Sequence, residues 1–314
     1  MFITAIGHYV PTERVGNDYF LSINGLESEW IEQRTGILSR SKAAENENAN
    51  TMGIEACERA LGNLSFDKEE IDLVVSASYT PYDTVATLAH IAQRKYNMTK
   101  AKAVYLSSAC SSLVNGLELI EGYFAMGKAT KALLICSEHN TYYSNPSDPK
   151  AGHLWGDAAV AMVITKDQIN PKDPQILEIF TRGLGHIGKG PDGVILRPKE
   201  GGIDMPDGRD VFMNACNYMV EALEHVSSKH SMTTNDLDYI ICHQANMRIV
   251  ANVARQLKRE SDIFLNNIKE LGNTGSASTG LVLSQNFDKF KSGDKVALCV
   301  FGGGYSSGSV LIKF

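Results

Sequence analysis

The chain repeats its own pattern of residues at an interval of 166 positions. Each copy contains an Asp before a β-rich run, a small-residue segment before a helical pattern, and a Gly before a second β-rich run. The matched positions, in chain order, are Asp72 with Asp238, Ser107 with Asn273, and Gly127 with Gly293. Three matches at one interval indicate an internal duplication, so the two halves of the 314 residues should share one fold.

Short β-rich runs alternate with helical patterns inside each half. The runs AKAVYLS, KALLICS and KVALCVF are typical of strands, because they are rich in aliphatic and β-branched residues. In SLVNGLELIEGYFAM, apolar residues recur every three or four positions, at Leu113, Leu117, Ile120 and Phe124, which predicts one buried helix face. Such alternation predicts mainly parallel strands that are covered by helices.

Two such halves, packed together, predict a five-layered α/β/α/β/α fold. We place the N-terminal half at residues 1–170 and the C-terminal half at residues 171–314. The duplication makes Cys110 and the 273–276 segment equivalent loops at the ends of strands, where ligands of α/β sheets usually bind. Both halves are therefore expected to contribute to one site.

Composition argues against several classes of function. The formal charge of −6 argues against a general nucleic-acid binder, and no apolar run approaches the roughly 20 residues that span a bilayer. The N-terminal MFITAIGHYVP lacks the basic start and the apolar core of a signal peptide. None of the six cysteines forms a Cys-x-x-Cys pair, so neither a metal site nor a dithiol redox motif is predicted. We expect a cytoplasmic protein with reduced thiols.

Cys110 stands where a predicted strand ends and a predicted helix begins. Its neighbours Ser108, Ala109, Ser111 and Ser112 are small, which leaves room for a thioester to approach. A thiol at a helix start lies near unpaired N–H groups and the positive end of the helix dipole, which favours the reactive thiolate. A cysteine that only packs is the alternative, and this is the role expected of Cys57, Cys136, Cys216, Cys242 and Cys299.

Six motifs follow one another along the chain. They are WIEQRTGI (30–37), SSACSS around Cys110, WGDAAVAMV (155–163), HQANMRIV (243–250), GNTGSAS (272–278) and FGGGYSSGS (301–309). In their order and spacing the chain resembles the thiolase-like condensing enzymes over essentially its whole length, and specifically the β-ketoacyl-acyl carrier protein synthase III family. The resemblance implies a catalytic set of Cys110, His243 and Asn273. A structural hydrogen bond for His243 and a turn role for Asn273 are the alternatives.

The residue types suit the implied chemistry. An acyl thioester would transfer its acyl group to Cys110, and a malonyl-type thioester would then lose CO₂. His243 and Asn273 would donate hydrogen bonds to the oxygen of the resulting enolate. The backbone N–H groups of Cys110 and of Gly304, in the Gly302–Gly304 loop, are candidate oxyanion donors. We expect no metal and no tightly bound cofactor, with coenzyme A or phosphopantetheine thioesters as substrates.

The resemblance also implies surfaces for substrates and partners. Trp30, Arg34, Phe212 and Asn246 would line the passage for coenzyme A or for the phosphopantetheine of an acyl carrier protein. Val85 would lie at the gate of the acyl pocket, and in a homodimer the neighbouring subunit would contribute that gate.

Basic residues recur at helical spacing in RIVANVARQLKR, and on an acidic chain they would suit the docking of an acidic acyl carrier protein. The four residues are Arg248, Arg255, Lys258 and Arg259. A solvated helix face is the alternative.

Several positions depart from the pattern of fatty-acid starter enzymes. Val85 replaces a bulky aromatic gate, and residues 305–307, after the triple glycine, read YSS. Lys150 and Arg209 stand where an arginine and an asparagine are usual. The first two changes leave the size of the acyl group open, and the last two weaken the case for free coenzyme A as the donor.

Other functions on the same fold remain as alternatives. The first is a specialised ketosynthase or cyclase of secondary metabolism, of the alkylresorcinol or dione type, which joins two acyl thioesters. An acyltransferase that forms C–O or C–N bonds is another. A biosynthetic thiolase is discounted, because its second cysteine would fall at Val300, and Cys299 is one residue out of register on the strand. An inactive partner subunit is disfavoured because all three catalytic candidates are present.

Overall fold

A computed structural model describes residues 1–62 and 64–314. The strands are β1 Phe2–Tyr9, β2 Glu13–Gly16, β3 Ser39–Lys42, β4 Leu73–Ala77, β5 Lys102–Leu106, β6 Lys131–Glu138, β7 Ala158–Thr165, β8 Gln175–Gly183, β9 Ile195–Arg197, β10 Gly202–Asp204, β11 Tyr239–Cys242, β12 Lys295–Gly302 and β13 Ser306–Lys313. The helices are α1 Asp18–Asn24, α2 Ser28–Thr35, α3 Ala49–Leu61, α4 Leu88–Lys95, α5 Ser112–Ala125, α6 Asn140–Tyr143, α7 Gly208–Ser228, α8 Met247–Leu257, α9 Ile268–Leu271 and α10 Ser278–Gln285.

In these described ranges, nine strands pair in the order β11-β12-β13-β8-β1-β7-β6-β4-β5. The two halves join where β1 meets β8 near the middle of that order. β4 and β11 begin 166 residues apart, at Leu73 and Tyr239, and so do α5 and α10, at Ser112 and Ser278. The interval found in the sequence is therefore present in the structure as two copies of one pattern.

Strand pairing is mixed, so the prediction of mainly parallel strands was wrong. β4 is parallel to β5 and β6, and β11 is parallel to β12. The pairs β1–β7, β6–β7, β12–β13 and β13–β8 are antiparallel. The connections explain the difference, because α5 crosses over between β5 and β6 whereas only residues 303–305 join β12 to β13.

The buried apolar side chains define five layers. One cluster lies between α3, α4 and the strands of the first half, and another lies between α7, α8 and the strands of the second half. In the third cluster, α5 and α10 lie between both sets of strands. Leu113, Leu117, Ile120 and Phe124 of α5 are all buried, as their spacing predicts, and each contributes about 1.5–3 kcal/mol. The predicted α/β/α/β/α fold is confirmed.

Two predictions about the whole chain concern its boundary and its location. The division at residue 170 falls in the connection between β7 and β8 and stays a prediction. In the part of the chain that is described, none of the helices has the length and apolar character needed to cross a bilayer. The expected cytoplasmic location stays a prediction.

Candidate active site

A cavity of about 270 Å³ opens where loops of the two halves meet. Cys110, His243 and Asn273 all line it. Much of the remaining wall is apolar, and it includes Val194, Leu196, Ile203, Met205, Val211 and Phe301. The structure therefore brings the three residues proposed from the sequence to one apolar pocket, as the duplication predicts.

Serine side chains hold the turn that carries Cys110. The Ser112 hydroxyl accepts the N–H of Ser108 at 2.8 Å and donates to the carbonyl of Ala109 at 2.6 Å. The Ser111 hydroxyl donates to the carbonyl of Ser108 at 2.6 Å. Ala109 has a φ of +48°, a left-handed conformation that costs a residue other than glycine about 1–3 kcal/mol. The serines of SSACSS thus stabilise a strained turn that presents Cys110 to the cavity.

The Gly302–Gly304 loop packs directly against this turn. A Cβ atom on Gly302 would lie 2.9 Å from the backbone nitrogens of both Cys110 and Ser111, so only glycine fits there. Gly304 has a φ of +124° and also lines the cavity. Both residues proposed as oxyanion donors, Cys110 and Gly304, therefore border the same space.

The thiol of Cys110 is protonated at rest, so the prediction of a thiolate was wrong. α5 begins only at Ser112, and the N–H groups that follow Cys110 already bond to carbonyls within the turn. Burial, and then the negative charge of Glu138, raise the pKa of Cys110 to about 12. Burial has this effect because a low-dielectric pocket disfavours the charged form of any acid.

His243 is held as a neutral hydrogen-bond donor. Its Nδ1 lies 2.8 Å from the hydroxyl of Ser278, the first residue of α10. Gln244 N–H only donates to the Ser278 oxygen, at 3.4 Å, and among the described residues Nδ1 is the acceptor within reach of the hydroxyl, so we assign the hydroxyl proton to Nδ1. The ring proton is then on Nε2, where it can be donated to a substrate in the cavity. Burial lowers the pKa of His243 to about 4, which keeps the ring neutral near pH 7.

Asn273 is oriented by its own loop. Its Oδ1 accepts the N–H of Gly275 at 3.0 Å, so the side-chain nitrogen is left to donate elsewhere. Its backbone carbonyl accepts the Gly156 N–H at 2.9 Å and the Asn140 Nδ2 at 3.2 Å. Two neutral donors, on His243 and Asn273, thus border the cavity that Cys110 lines.

Comparisons with known proteins identify the family. Two family models match, 3-oxoacyl-[acyl-carrier-protein (ACP)] synthase III at residues 105–184 and its C-terminal counterpart at residues 228–314. The β-ketoacyl-[acyl-carrier-protein] synthase III of Acholeplasma laidlawii is 34% identical over 314 residues, which cover 99% of this chain and 97% of that protein. The chain belongs to the β-ketoacyl-acyl carrier protein synthase III family. It is an acyl-transferring condensing enzyme.

Solved structures agree with this assignment. The 3-oxoacyl-[acyl-carrier-protein] synthase III of Aquifex aeolicus superposes with a TM-score of 0.92 at 28% identity, covering 100% of this chain and 99% of that one. The priming β-ketosynthase of the R1128 polyketide pathway superposes with a TM-score of 0.90 at 26% identity, covering 99% and 96%. Together the comparisons favour a condensing enzyme of fatty-acid initiation over the specialised cyclase.

A second cleft, of about 550 Å³, adjoins the inner cavity of this synthase. Trp30, Arg34, Phe212 and Asn246, which the family resemblance placed on the substrate passage, all line the cleft. Met205 lines both spaces and lies between them. The cleft also contains Lys150, Arg209 and Arg248.

The basic residues proposed for docking divide into two groups. Arg248, Arg255 and Lys258 are exposed on α8 and at its end. Arg259 is half-buried, and its guanidinium donates to the backbone carbonyls of Thr234 and Leu237. Arg259 therefore holds a loop in place, and the docking prediction is reduced to the other three.

Val85 does not line the inner cavity of its own chain. Its side chain is 84% exposed, in the loop between β4 and α4. Its predicted place at the gate of a neighbouring subunit stays a prediction.

Three residues of the site were not predicted from the sequence. Ser278 is the repeat partner of Ser112, and that equivalence was the signal that could have found it. Tyr79 lies just beyond the end of β4 and lines the cavity. Glu138, at the end of β6, is fully buried and accepts hydrogen bonds from the hydroxyls of Ser78, Thr80 and Ser276. Tyr79 follows β4 and Glu138 ends β6, and such strand ends, where ligands of α/β sheets usually bind, were the signal in the sequence.

Among the described residues, no group of three or more His, Cys, Asp or Glu side chains is arranged to hold a metal ion. The cysteines at the six positions are all free thiols.

Proposed function

We propose that this enzyme transfers an acyl group from a thioester to Cys110 and then condenses it with a malonyl-type thioester. The product is a β-ketoacyl thioester, with CO₂ released. The observation that carries the proposal is that Cys110, His243 and Asn273 line one apolar cavity. The two neutral side chains have their acceptor atoms already occupied, so each has a donor left for substrate.

In the first step the sulfur of Cys110 attacks the thioester carbonyl. The carbonyl oxygen becomes negative and is stabilised by the backbone N–H groups of Cys110 and Gly304. The bond to the carrier sulfur breaks, the thiol proton leaves on the released carrier thiol, and an acyl-enzyme remains. Because Cys110 begins as a thiol, the approach of the thioester and the loss of the thiol proton are coupled events.

In the second step the malonyl-type thioester loses CO₂ and becomes an enolate. His243 Nε2–H and the Asn273 amide donate to its oxygen, and such donors in an apolar site are commonly worth about 3–4 kcal/mol each. The enolate carbon attacks the acyl carbonyl, a C–C bond forms, the bond to the sulfur of Cys110 breaks, and the sulfur takes a proton from water. No strong base is needed, because departure of CO₂ generates the carbon nucleophile.

For the acyl donor we propose a coenzyme A thioester, with the extender carried on an acyl carrier protein. Four cations, Arg34, Lys150, Arg209 and Arg248, line the outer cleft. None of them is held in a salt bridge within residues 1–62 and 64–314, so all four are available to phosphate groups. Lys150 and Arg209, which suggested a weaker coenzyme A site in the sequence, supply positive charge to it.

We further propose a homodimer. β5 is the last strand of the sheet, and its outer edge has no strand partner in the described part of the chain. Tyr82, Val85 and Tyr142 are exposed by 66%, 84% and 73%. An open strand edge and exposed large apolar side chains favour a surface that another chain covers. Sedimentation equilibrium should give twice the chain mass of 34.3 kDa, and a monomer would reject this part of the proposal.

Product analysis tests the function. Wild type, Cys110→Ala and Cys57→Ala are each supplied with a panel of acyl-coenzyme A donors and a malonyl-loaded carrier protein. Cys57 is also buried but lies on α3, away from the cavity, so its variant controls for loss of a thiol. We expect β-ketoacyl carrier protein and CO₂ from wild type and Cys57→Ala only. Esters or amides without CO₂ would instead identify an acyltransferase.

The donor carrier is tested separately with Arg34→Ala. Its KM for acyl-coenzyme A should rise about tenfold or more, since a charge-assisted hydrogen bond is worth about 1.5–3 kcal/mol. Its KM for the same acyl group on pantetheine, which lacks the nucleotide, should stay unchanged. Equal rises for both donors would contradict a phosphate-binding role for the outer cleft.

A further inference from the structure

Two contacts hold Tyr79 at the wall of the cavity that Cys110 also lines. Its backbone N–H donates to Glu138 Oε1 at 3.3 Å, which anchors the loop after β4. A Cβ atom on Gly275 would lie only 2.5 Å from the Tyr79 hydroxyl oxygen, so the phenol rests on the loop that orients Asn273. The side chain lines the cavity together with Cys110.

The hydroxyl of Tyr79 is a buried polar group without a hydrogen-bond partner among the described residues. Its polar neighbours are the thiol of Cys110 and the amide of Asn140. The Asn140 nitrogen is a donor and cannot accept the phenol proton, and it already donates to the carbonyls of Gly156 and Asn273 at 2.8 and 3.2 Å. A buried hydroxyl that makes no hydrogen bond costs about 1–3 kcal/mol. Such a cost is recovered if the partner becomes a strong acceptor during the reaction.

We propose that the Tyr79 hydroxyl is a catalytic hydrogen-bond donor to the sulfur of Cys110. The neutral thiol is a weak acceptor, whereas the thiolate that forms when the thiol proton leaves, or when the acyl group departs, is a strong one. The interaction is therefore stronger along the reaction path than at rest, which is the condition for accelerating a step. The proposal rests on the proposed function for its assignment of Cys110 as the nucleophile.

The charged groups around Cys110 do not stabilise a negative sulfur, so a neutral donor is needed. Among the described residues, Glu138 is the charged group that acts on the thiol, and its negative charge opposes ionisation. His243 is neutral, and the cations of the outer cleft lie beyond Met205. Within the described chain, the phenol of Tyr79 and the backbone N–H of Cys110 are the groups whose hydrogen bonds would favour a negative sulfur.

Alkylation kinetics test the proposal without any acyl substrate. The rate at which iodoacetamide modifies Cys110 is followed by peptide mass from pH 6 to pH 10 in wild type and Tyr79→Phe. We expect Tyr79→Phe to react about tenfold more slowly at every pH, which corresponds to a pKa of Cys110 raised by about one unit. Tyr105→Phe is the matched control, because the Tyr105 hydroxyl donates to the Ser78 carbonyl at 2.8 Å instead of facing the sulfur. It should react as wild type does.

The alkylation rates of the variants either support or overturn the hydrogen bond from Tyr79 to Cys110. Equal rates for Tyr79→Phe and wild type, or equal slowing in Tyr105→Phe, would overturn the proposal. Tyr79→Leu also removes the hydroxyl, so the test survives if either variant at position 79 folds with a cooperative melting transition. If the alkylation rate depends on Tyr79 but acyl thioesters never modify Cys110, the proposed function fails while the hydrogen bond stands.

Discussion

The hydrogen bond between Ser278 and His243 leads to the sharpest prediction about the second reaction step. The Ser278 hydroxyl lies 2.8 Å from His243 Nδ1 and fixes the ring proton on Nε2. In Ser278→Ala the imidazole loses this partner, and no other hydrogen bond from residues 1–62 or 64–314 selects between the two nitrogens. Part of the population then presents an unprotonated Nε2, which cannot donate to the enolate oxygen.

The expected magnitude follows from the geometry. A neutral hydrogen bond contributes about 0.5–1.5 kcal/mol, and a buried atom left unpaired costs about 1–3 kcal/mol. Losing this bond removes a preference of that size for the Nε2–H form of the buried ring, so the two forms become comparable in energy and the rate should fall about twofold or more. The loss should fall on decarboxylation and condensation. Transfer of the acyl group to Cys110, which does not use His243, should keep its wild-type rate.

A matched pair on the same helix provides the control. His8 Nδ1 lies 2.8 Å from the hydroxyl of Ser284, which is also on α10 but does not border the cavity. Release of labelled CO₂ from a malonyl thioester, and the increase in protein mass with an acyl-coenzyme A, are measured for Ser278→Ala and Ser284→Ala. Decarboxylation at the wild-type rate in Ser278→Ala, or an equal loss in both steps, would refute the role assigned to the ring proton.

Three further substitutions probe the surroundings of the sulfur. Burial raises the pKa of Glu138 to about 7 from its usual 4.5, so the folded protein binds this proton more tightly than the unfolded chain does. The contribution of this proton to the free energy of unfolding is fully present below pH 4.5 and is lost as the pH rises through 7. Urea unfolding should therefore show wild type losing about 3 kcal/mol relative to Glu138→Gln between pH 4.5 and 8, and a constant difference would contradict the shift. Gly302→Ala forces a Cβ atom onto the turn of Cys110 and should destabilise the fold by about 1–3 kcal/mol and slow acylation; unchanged melting would argue against the tight contact. Trp155 separates the inner cavity from a neighbouring pocket of about 70 Å³. In Trp155→Leu the rate of octanoyl transfer relative to butyryl transfer should rise about tenfold, because space for one more methylene in an apolar pocket changes specificity by about that factor. An unchanged ratio would show that the acyl chain does not extend past Trp155.

Local patterns in the sequence predicted what depends on local geometry. The apolar spacing in α5 follows from the helix period, and every residue it identified is buried. The 166-residue interval placed Cys110 and Asn273 on equivalent loops, and a duplicated fold brings equivalent loops together. Mixed strand pairing was missed because the alternation of strands and helices does not reveal which connections are short turns. The three residues between β12 and β13 decide that point.

Features of the site that depend on distant contacts were beyond the sequence. The pKa of Cys110 depends on burial and on Glu138, which is brought near by the pairing of strands rather than by chain proximity. The helix start near Cys110 was correctly located to within two residues, but that small offset removes the free N–H groups on which the thiolate prediction relied. The spacing of Arg259 along the sequence fits a row of basic residues on one helix face. Its side chain instead donates to backbone carbonyls of a neighbouring loop.

One measurement tests the central claim directly. The enzyme is mixed with an acyl-coenzyme A alone, digested, and the acylated peptide is identified by mass; a malonyl-loaded carrier protein is then added for a single turnover. We expect the acyl group on the Cys110 peptide, and we expect it to disappear from that peptide as CO₂ is released and the β-ketoacyl product forms. Product formed while the Cys110 peptide is never acylated, or an acyl group stably attached to another residue, would contradict this expectation.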